Sequence, residues 1–172
     1  MQRKNRDTIP TGRLCLRSIS DGDVEDMIAL LANKEIAKTY MLPEFQSREE
    51  IIKLFERLKA LSESKEHFVY GIDLQGHIIG FLNDVQITKD TVEVGYVIHP
   101  DYKNQGFATE AFGAVIQALF DAGFRVVTAG AFVENPASFR VMEKCGMQKS
   151  TLEEDIDYRG QTHHCLYYAK ER

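Results

Sequence analysis

Apolar positions along this chain change their spacing several times, and each change marks an element. Residues 13–19 (RLCLRSI) alternate apolar and polar, the pattern of a half-buried strand. Ser20 and Asp21 are helix N-cap types, and Val24, Met27, Ile28 and Leu31 follow at helical spacing. Pro43 breaks the chain. Ser47 and Glu50 form a capping box ahead of a second amphipathic helix carrying Ile51, Leu54, Phe55, Leu58 and Leu61. Three strand-like runs come next. HFVYGIDL ends at the turn pair Gln75-Gly76, HIIGFLNDVQI runs to Lys89-Asp90, and TVEVGYVIHP stops at Pro100. Together they predict an antiparallel meander.

Helical spacing returns with Ala108, Ala111, Phe112, Val115, Ile116, Leu119 and Phe120, and Gly123 suits the C-terminal cap. RVVTAGAFV is a further strand. Asn135 or Ser138 opens a helix that ends near Gly146. MQKSTLEEDIDY, the turn pair Arg159-Gly160 and QTHHCLYYAKE close the chain as a hairpin. The order is β-α-α-β-β-β-α-β-α-β-β. The strand–helix–strand passage from Val92 to Val133 is a crossover, so its two strands run parallel while the other pairs run antiparallel. The expectation is an α/β fold with a mixed sheet and about four helices. No repeat or linker interrupts residues 1–172, which read as one domain.

Composition changes this picture little. With 44% hydrophobic and 27% charged residues, the chain has an ordinary globular balance. A formal net charge of -5 argues against a nucleic-acid partner. Three cysteines without motif spacing, a polar start (MQRKNRDTIP) and no apolar run of membrane-spanning length point to the cytoplasm.

The chemistry concentrates in YKNQGFATEA, residues 102–111. A polar turn enters a helix through a lone glycine. A helix start offers free backbone N–H groups and the positive end of a dipole, and glycine lets a ligand approach the backbone. A P-loop would need a Lys-Ser/Thr pair, and a dinucleotide fingerprint three spaced glycines; neither is present. What remains is a phosphate cradle of backbone N–H groups over residues 103–108, with Lys103 adding a charge. The competing reading is a helix entry whose glycine serves packing alone.

The segment Lys103-Asn104-Gln105-Gly106-Phe107-Ala108 resembles the Gln/Arg-x-x-Gly-x-Gly/Ala helix entry of the GNAT superfamily of acetyl-CoA-dependent N-acetyltransferases. Its first position departs from that pattern but keeps a cation. EVGYVIHPDY before it, ATEAF after it, and ENPASFRVMEKCGM further on extend the resemblance. The wording is similar to the branch that includes ribosomal-protein N-terminal alanine acetyltransferases. The resemblance implies a GNAT-type sheet, mostly antiparallel, with one parallel pair splayed at a β-bulge. It implies acetyl-CoA as co-substrate. The pantetheine arm would pair with the backbone of Tyr96, Val97 and Ile98, and an N–H near Val97 or Ile98 would stabilise the thioester oxyanion. The pyrophosphate would sit on Lys103, Asn104, Gln105, Gly106, Phe107, Ala108 and Thr109. Family members are often dimers, so a homodimer is expected on the same ground.

Acetyl transfer requires a neutral amine. An α-amino group, with a pKa of about 7.7–8.0, loses its proton far more readily than a lysine amine at about 10.4. A general base helps in either case. Glu93 is the candidate: by alternation it shares a face with Gly95 and Val97, and the resemblance places a glutamate there. The alternative is a solvated edge charge. A tyrosine donates to the leaving thiolate in many family members, but the corresponding residue is Met142. Ser138 is the substitute donor or, alternatively, a first-turn cap. Asn135 binds the pantetheine by resemblance, or caps the helix ahead of Pro136.

Other constellations carry less. His163 and His164 are adjacent on a strand, point to opposite faces and cannot converge on one metal; no metal site is expected. His67, His77 and His99 are scattered. Cys145 at a helix C-terminus is disfavoured as a thiolate. The acidic run 152–158 and the segment Thr39–Phe45 would flank the acceptor, unless the first is simply solvated and the second packs in the core. The acceptor is expected to be a protein N-terminal α-amine, with a small amine, polyamine or aminoglycoside as alternatives. A non-catalytic acyl-CoA-binding module on the same fold is the competing class.

Overall fold

A computed structural model describes residues 8–172, so the polar stretch before Thr8 lies outside the described residues. One eight-stranded sheet runs through it. The strands are β1 (Ile9–Pro10), β2 (Cys15–Arg17), β3 (Val69–Leu74), β4 (His77–Ile87), β5 (Thr91–Ile98), β6 (Val126–Phe132), β7 (Gln148–Tyr158) and β8 (Gln161–Glu171). Their spatial order is β1-β2-β3-β4-β5-β6-β8-β7. Every neighbouring pair is antiparallel except β5 and β6. The α-helices among the described residues are α1 (Val24–Leu31), α2 (Lys34–Thr39), α3 (Arg48–Glu63), α4 (Phe107–Asp121) and α5 (Pro136–Lys144).

The sequence expectation of a mixed, mostly antiparallel sheet with one parallel pair is met. Two elements were not anticipated. β1 is only two residues long. α2 is a separate helix of six residues, capped by Asn33, whose side chain accepts from the N–H groups of Glu35 and Ile36. Both are too short for a period to register.

Local signals explain most boundaries. Gln75 (φ 53°) and Gly76 (φ 91°) make the two-residue hairpin between β3 and β4. Arg159 and Gly160 do the same between β7 and β8. The capping box at α3 is displaced by one residue: Ser47 Oγ accepts from Glu50 N–H, but the Glu50 carboxylate reaches back to the N–H of Gln46. Ser20 and Asp23 cap a short 3-10 turn that leads into α1.

The sheet separates two cores. On one face α4 packs Phe107, Ala111, Phe112, Val115 and Leu119 over Val92, Val94, Val127 and Ala129, with Met142 of α5 beside them. On the other, α1, α2 and α3 bring Met27, Leu30, Ile36 and Phe55 onto Val69, Phe81 and Val97. Arg17 closes the rim of the second core. Its guanidinium grips Asp23 at 2.8 and 2.9 Å and Asp73 at 2.7 Å.

One irregularity positions the site. β5 and β6 pair only at Thr91↔Val126, Val92↔Val127 and Glu93↔Thr128. Beyond Glu93, β5 follows β4 while β6 follows β8, and the sheet opens like a wedge. The bulge expected between the parallel strands lies one strand away. Val85 of β4 is the extra residue, since Asp84 pairs with Val94 and Gln86 with Glu93. A bulge increases local twist, and this one sits where β5 leaves β6.

Candidate active site

The wedge is bounded by the turn into α4. After Pro100–Tyr102 the chain takes a left-handed step at Asn104 (φ 61°) and another at Gly106 (φ 80°). Gly106 is the α4 N-cap and has no side chain to satisfy the first N–H groups. Arg13 braces this turn from behind. Its Nη1 donates to the Gln105 carbonyl at 2.8 Å, its Nε pairs with Glu110 at 2.8 Å, and its guanidinium lies 4.2 Å from the centre of the Phe107 ring. Thr11 Oγ and the Arg13 N–H also donate to Glu110. Burial pushes the Glu110 carboxyl up, but these donors outweigh it and hold the carboxyl below its usual range.

A cleft of about 340 Å³ opens where β5, this turn and α5 meet. Tyr96, Val97 and Ile98 line one side. Lys103, Asn104, Gly106, Phe107, Ala108 and Thr109 form its end, and Asn135 and Ser138 stand opposite. Those expected ligand-binding residues therefore converge. Gln105 does not: its side chain turns back toward the Asp101 carbonyl at 3.5 Å, and its own carbonyl is held by Arg13.

Ser138 and Asn135 are not side-chain caps of α5. Ser138 Oγ lies 2.6 Å from the Tyr96 hydroxyl. The Asn135 amide has no partner among the described residues and faces the cleft. Met142 is fully buried in the core.

Arg140 and Lys144, one helical turn apart on α5, also line the cleft and were missed in the sequence reading. Their side chains and that of Lys103 have no ion-pair or hydrogen-bond partner among the described residues. The spacing Ser138, Val141 and Lys144 was the available signal, because it puts all three on one helix face. Thr39 and Tyr40 of the segment expected near the acceptor reach the cleft as well. Phe45 instead packs against the second core, and Met41 is exposed.

Glu93 does not line this cleft. By alternation it shares the sheet face of Gly95 and Val97. It has no hydrogen-bonded partner among the described residues, and it is half-buried. Burial raises its carboxyl pKa, and the neighbouring charge of Glu154 adds to the rise. On the same face Tyr167 donates to Glu154, and the Tyr167 ring covers Gly130, where an added methyl group would collide with it at 2.6 Å. Tyr158 ties this face to the α2 loop: its hydroxyl donates to the Ala37 carbonyl at 2.6 Å and accepts from Leu42 N–H at 3.1 Å. The cleft thus draws on both sides of the sheet, with Tyr96 and Phe107 on one and Ile36, Tyr40 and Val97 on the other, and Glu93 lies on the Val97 side beside the wedge between β5 and β6.

The acidic run divides by alternation. Glu153 and Asp155 flank His164 at 3.1 and 2.8 Å, while Glu154 and Tyr158 face the Glu93 side. His163 stacks on Phe132 at 4.4 Å on that side. Burial pushes the Cys145 thiol up to about 11, with Lys170 pulling the other way, so it is no ready nucleophile. No helix among the described residues is long and apolar enough to cross a membrane.

Comparison with known proteins agrees with this architecture. The solved structure of RimL, a ribosomal L7/L12 α-N-protein acetyltransferase in complex with coenzyme A, superposes with a TM-score of 0.85 at 21% identity, over 96% of this chain and 98% of that one. The microcin C7 self-immunity acetyltransferase MccE, in complex with acetyl-CoA and AMP, gives 0.82 at 18% identity, over 94% and 93%. The uncharacterized N-acetyltransferase YoaA of Bacillus subtilis (strain 168) is 31% identical over 159 residues, 90% of each chain. Residues 13–148 match the acetyltransferase (GNAT) domain model, and the chain belongs to the GNAT acetyltransferase family.

Proposed function

We propose that the protein transfers an acetyl group from acetyl-CoA to a primary amine by direct attack in a ternary complex, and that the acceptor is a protein N-terminal α-amine. One observation carries this reading. The open wedge leads from a cleft with unpaired cations and free helix N–H groups toward an unpartnered carboxylate on the face that Val97 shares.

The residues fit an acyl-CoA. The N–H groups around Gly106, with Lys103, Arg140 and Lys144, suit its phosphates. The half of β5 that β6 leaves unpaired suits the amides of the pantetheine arm, which would add like a strand. N–H groups at Val97 or Ile98 suit the oxyanion.

Glu93, on the face it shares with Val97, acts as base. Its raised pKa narrows the gap to an ammonium group, and the gap that remains is smaller for an α-ammonium than for a lysine ammonium. Glu154 beside it favours arrival of a cation. The N–C bond forms, the C–S bond breaks, the electron pair leaves on sulfur, and the amine's proton passes to Glu93. The similarity to RimL supports an α-amine acceptor.

The test is acetylation of a pooled panel, read by mass spectrometry. It contains alanine- and serine-starting peptides, Nα-blocked lysine peptides, polyamines, amino acids and aminoglycosides. Modified peptide N-termini are expected. Product only on small amines would move the acceptor class. Binding of acetyl-CoA with no product on any amine would favour a non-catalytic module.

A further inference from the structure

The Tyr96 hydroxyl sits between two oxygens of one residue. It donates to the Ser138 carbonyl at 3.0 Å, and Ser138 Oγ is 2.6 Å away. A phenol has one proton, so the two contacts allow two arrangements. In the first, Tyr96 donates to the carbonyl and Ser138 donates to the Tyr96 oxygen, which uses up the serine proton. In the second, Tyr96 donates to Ser138 Oγ, and the serine proton points into the cleft.

We propose that Tyr96 is a positioning residue that directs the Ser138 hydroxyl proton at the departing thiolate. This rests on the acetyl-transfer reading above. The first arrangement makes two hydrogen bonds. The second makes one within the protein and a second only when an acceptor occupies the cleft. The exchange therefore becomes even in bond count when sulfur carries charge, and favourable because that bond is charge-assisted. A contact that strengthens only as the thiolate forms lowers the barrier rather than tightening substrate binding. The Ser138 carbonyl can be released because it also lies in the first turn of α5, where the helix ladder uses it.

Three further observations agree. The Tyr96 ring is held against Phe112 at a centroid distance of 4.8 Å, so its hydroxyl has little room to wander. Burial raises its pKa strongly, so it keeps its proton. Met142 leaves α5 without a phenol facing the cleft, and Tyr96 brings one from the sheet instead. Tyr96 and Ser138 keep their protons throughout; the amine's proton leaves with Glu93.

The experiment uses Tyr96→Phe, Ser138→Ala and the double variant of the full chain, with two readouts. The first is titration of the bound coenzyme A thiol by its ultraviolet thiolate absorbance, corrected for protein alone. It needs no acceptor. Tyr96→Phe should raise the bound thiol's pKa, and the double variant should equal Ser138→Ala. The second is turnover with the best acceptor. Tyr96→Phe should lower kcat by roughly tenfold, the scale of one charged hydrogen bond. The KM for acetyl-CoA should stay within about twofold, because this bond forms only with the leaving group.

Phe retains the ring contact with Phe112, and thermal melting should confirm an unchanged fold. An unmoved thiol titration, or losses that add in the double variant, would overturn the proposal. Absence of any acetylated amine with the wild-type protein would defeat the acceptor reading alone, since the thiol titration still decides the role of Tyr96.

Discussion

Two sets of cations in this molecule are built in opposite ways. Arg17 lies on the closed rim of the sheet with every obvious bond made. It holds Asp23 and Asp73, and the side chains of the Arg17–Asp23 pair are only 23% and 6% exposed. Lys103, Arg140 and Lys144 stand around an open cleft with no ion-pair or hydrogen-bond partner among the described residues. The first set is complete within the chain and serves the fold. The second is incomplete, and unspent charge at a concave surface marks where an anion belongs. Glu93 is the same kind of group with the opposite sign.

The largest effect should come from breaking the closed set. Asp23→Ala leaves a mostly buried guanidinium short of a partner and should cost about 3 kcal/mol in urea unfolding. Turnover per folded molecule should be unchanged. The sign with pH follows from Asp23 itself. Burial pushes its carboxyl up, but the Arg17 guanidinium and the Ser20 N–H outweigh burial and hold it low. Its contribution is full above the ordinary carboxylate range and disappears as pH falls through the lowered value. The variant should therefore lose less stability on acidification than the wild type.

Glu93→Gln inverts that result. It should lower kcat on the order of 10²-fold and leave the acetyl-CoA KM and the melting temperature nearly unchanged. As the proposed base, Glu93 works in its deprotonated form. Because its pKa is raised, activity should decline on the acid side at a higher pH than an exposed glutamate would give. A pH–rate profile without that limb would remove Glu93 from the mechanism.

Arg140→Ala with Lys144→Ala tests the open set. We expect the KM for acetyl-CoA to rise by about tenfold with stability kept, and the rise to shrink at high salt. Equal loss of stability would erase the distinction between the two sets. Arg13 is the mixed case, partnered with Glu110 yet bracing the cleft turn, with a side chain 47% exposed. Arg13→Ala should cost less than about 1 kcal/mol and raise the KM only about two- to threefold.

Features with a local cause were legible in the sequence. The turn at Gln75-Gly76, the glycine ends of α4 and α5, and the helix entry at Gly106 each depend on a few adjacent residues. The face shared by Glu93, Gly95 and Val97 followed from the two-residue period of a strand. Features that depend on packing were not. The bulge at Val85 arises from how β4 meets β5 and has no turn residue to announce it. α2 is too short to show a period. The Tyr96–Ser138 contact joins residues 42 positions apart and needs α5 laid across β5. Arg140 and Lys144 read as ordinary solvated helix charges until the cleft is known.

The wedge also bears on self-association. Where β6 departs, half of β5 turns a row of backbone amides and carbonyls toward nothing in the sheet. On the outer margin of a sheet such a row would invite another strand and then aggregation. Here it lies in the interior, between two strands that are each fully occupied on their other side. A free outer edge is open to any strand, whereas this row is reached only through the gap between β5 and β6. The fold thus keeps this unpaired row of backbone groups away from the outer margins of the sheet.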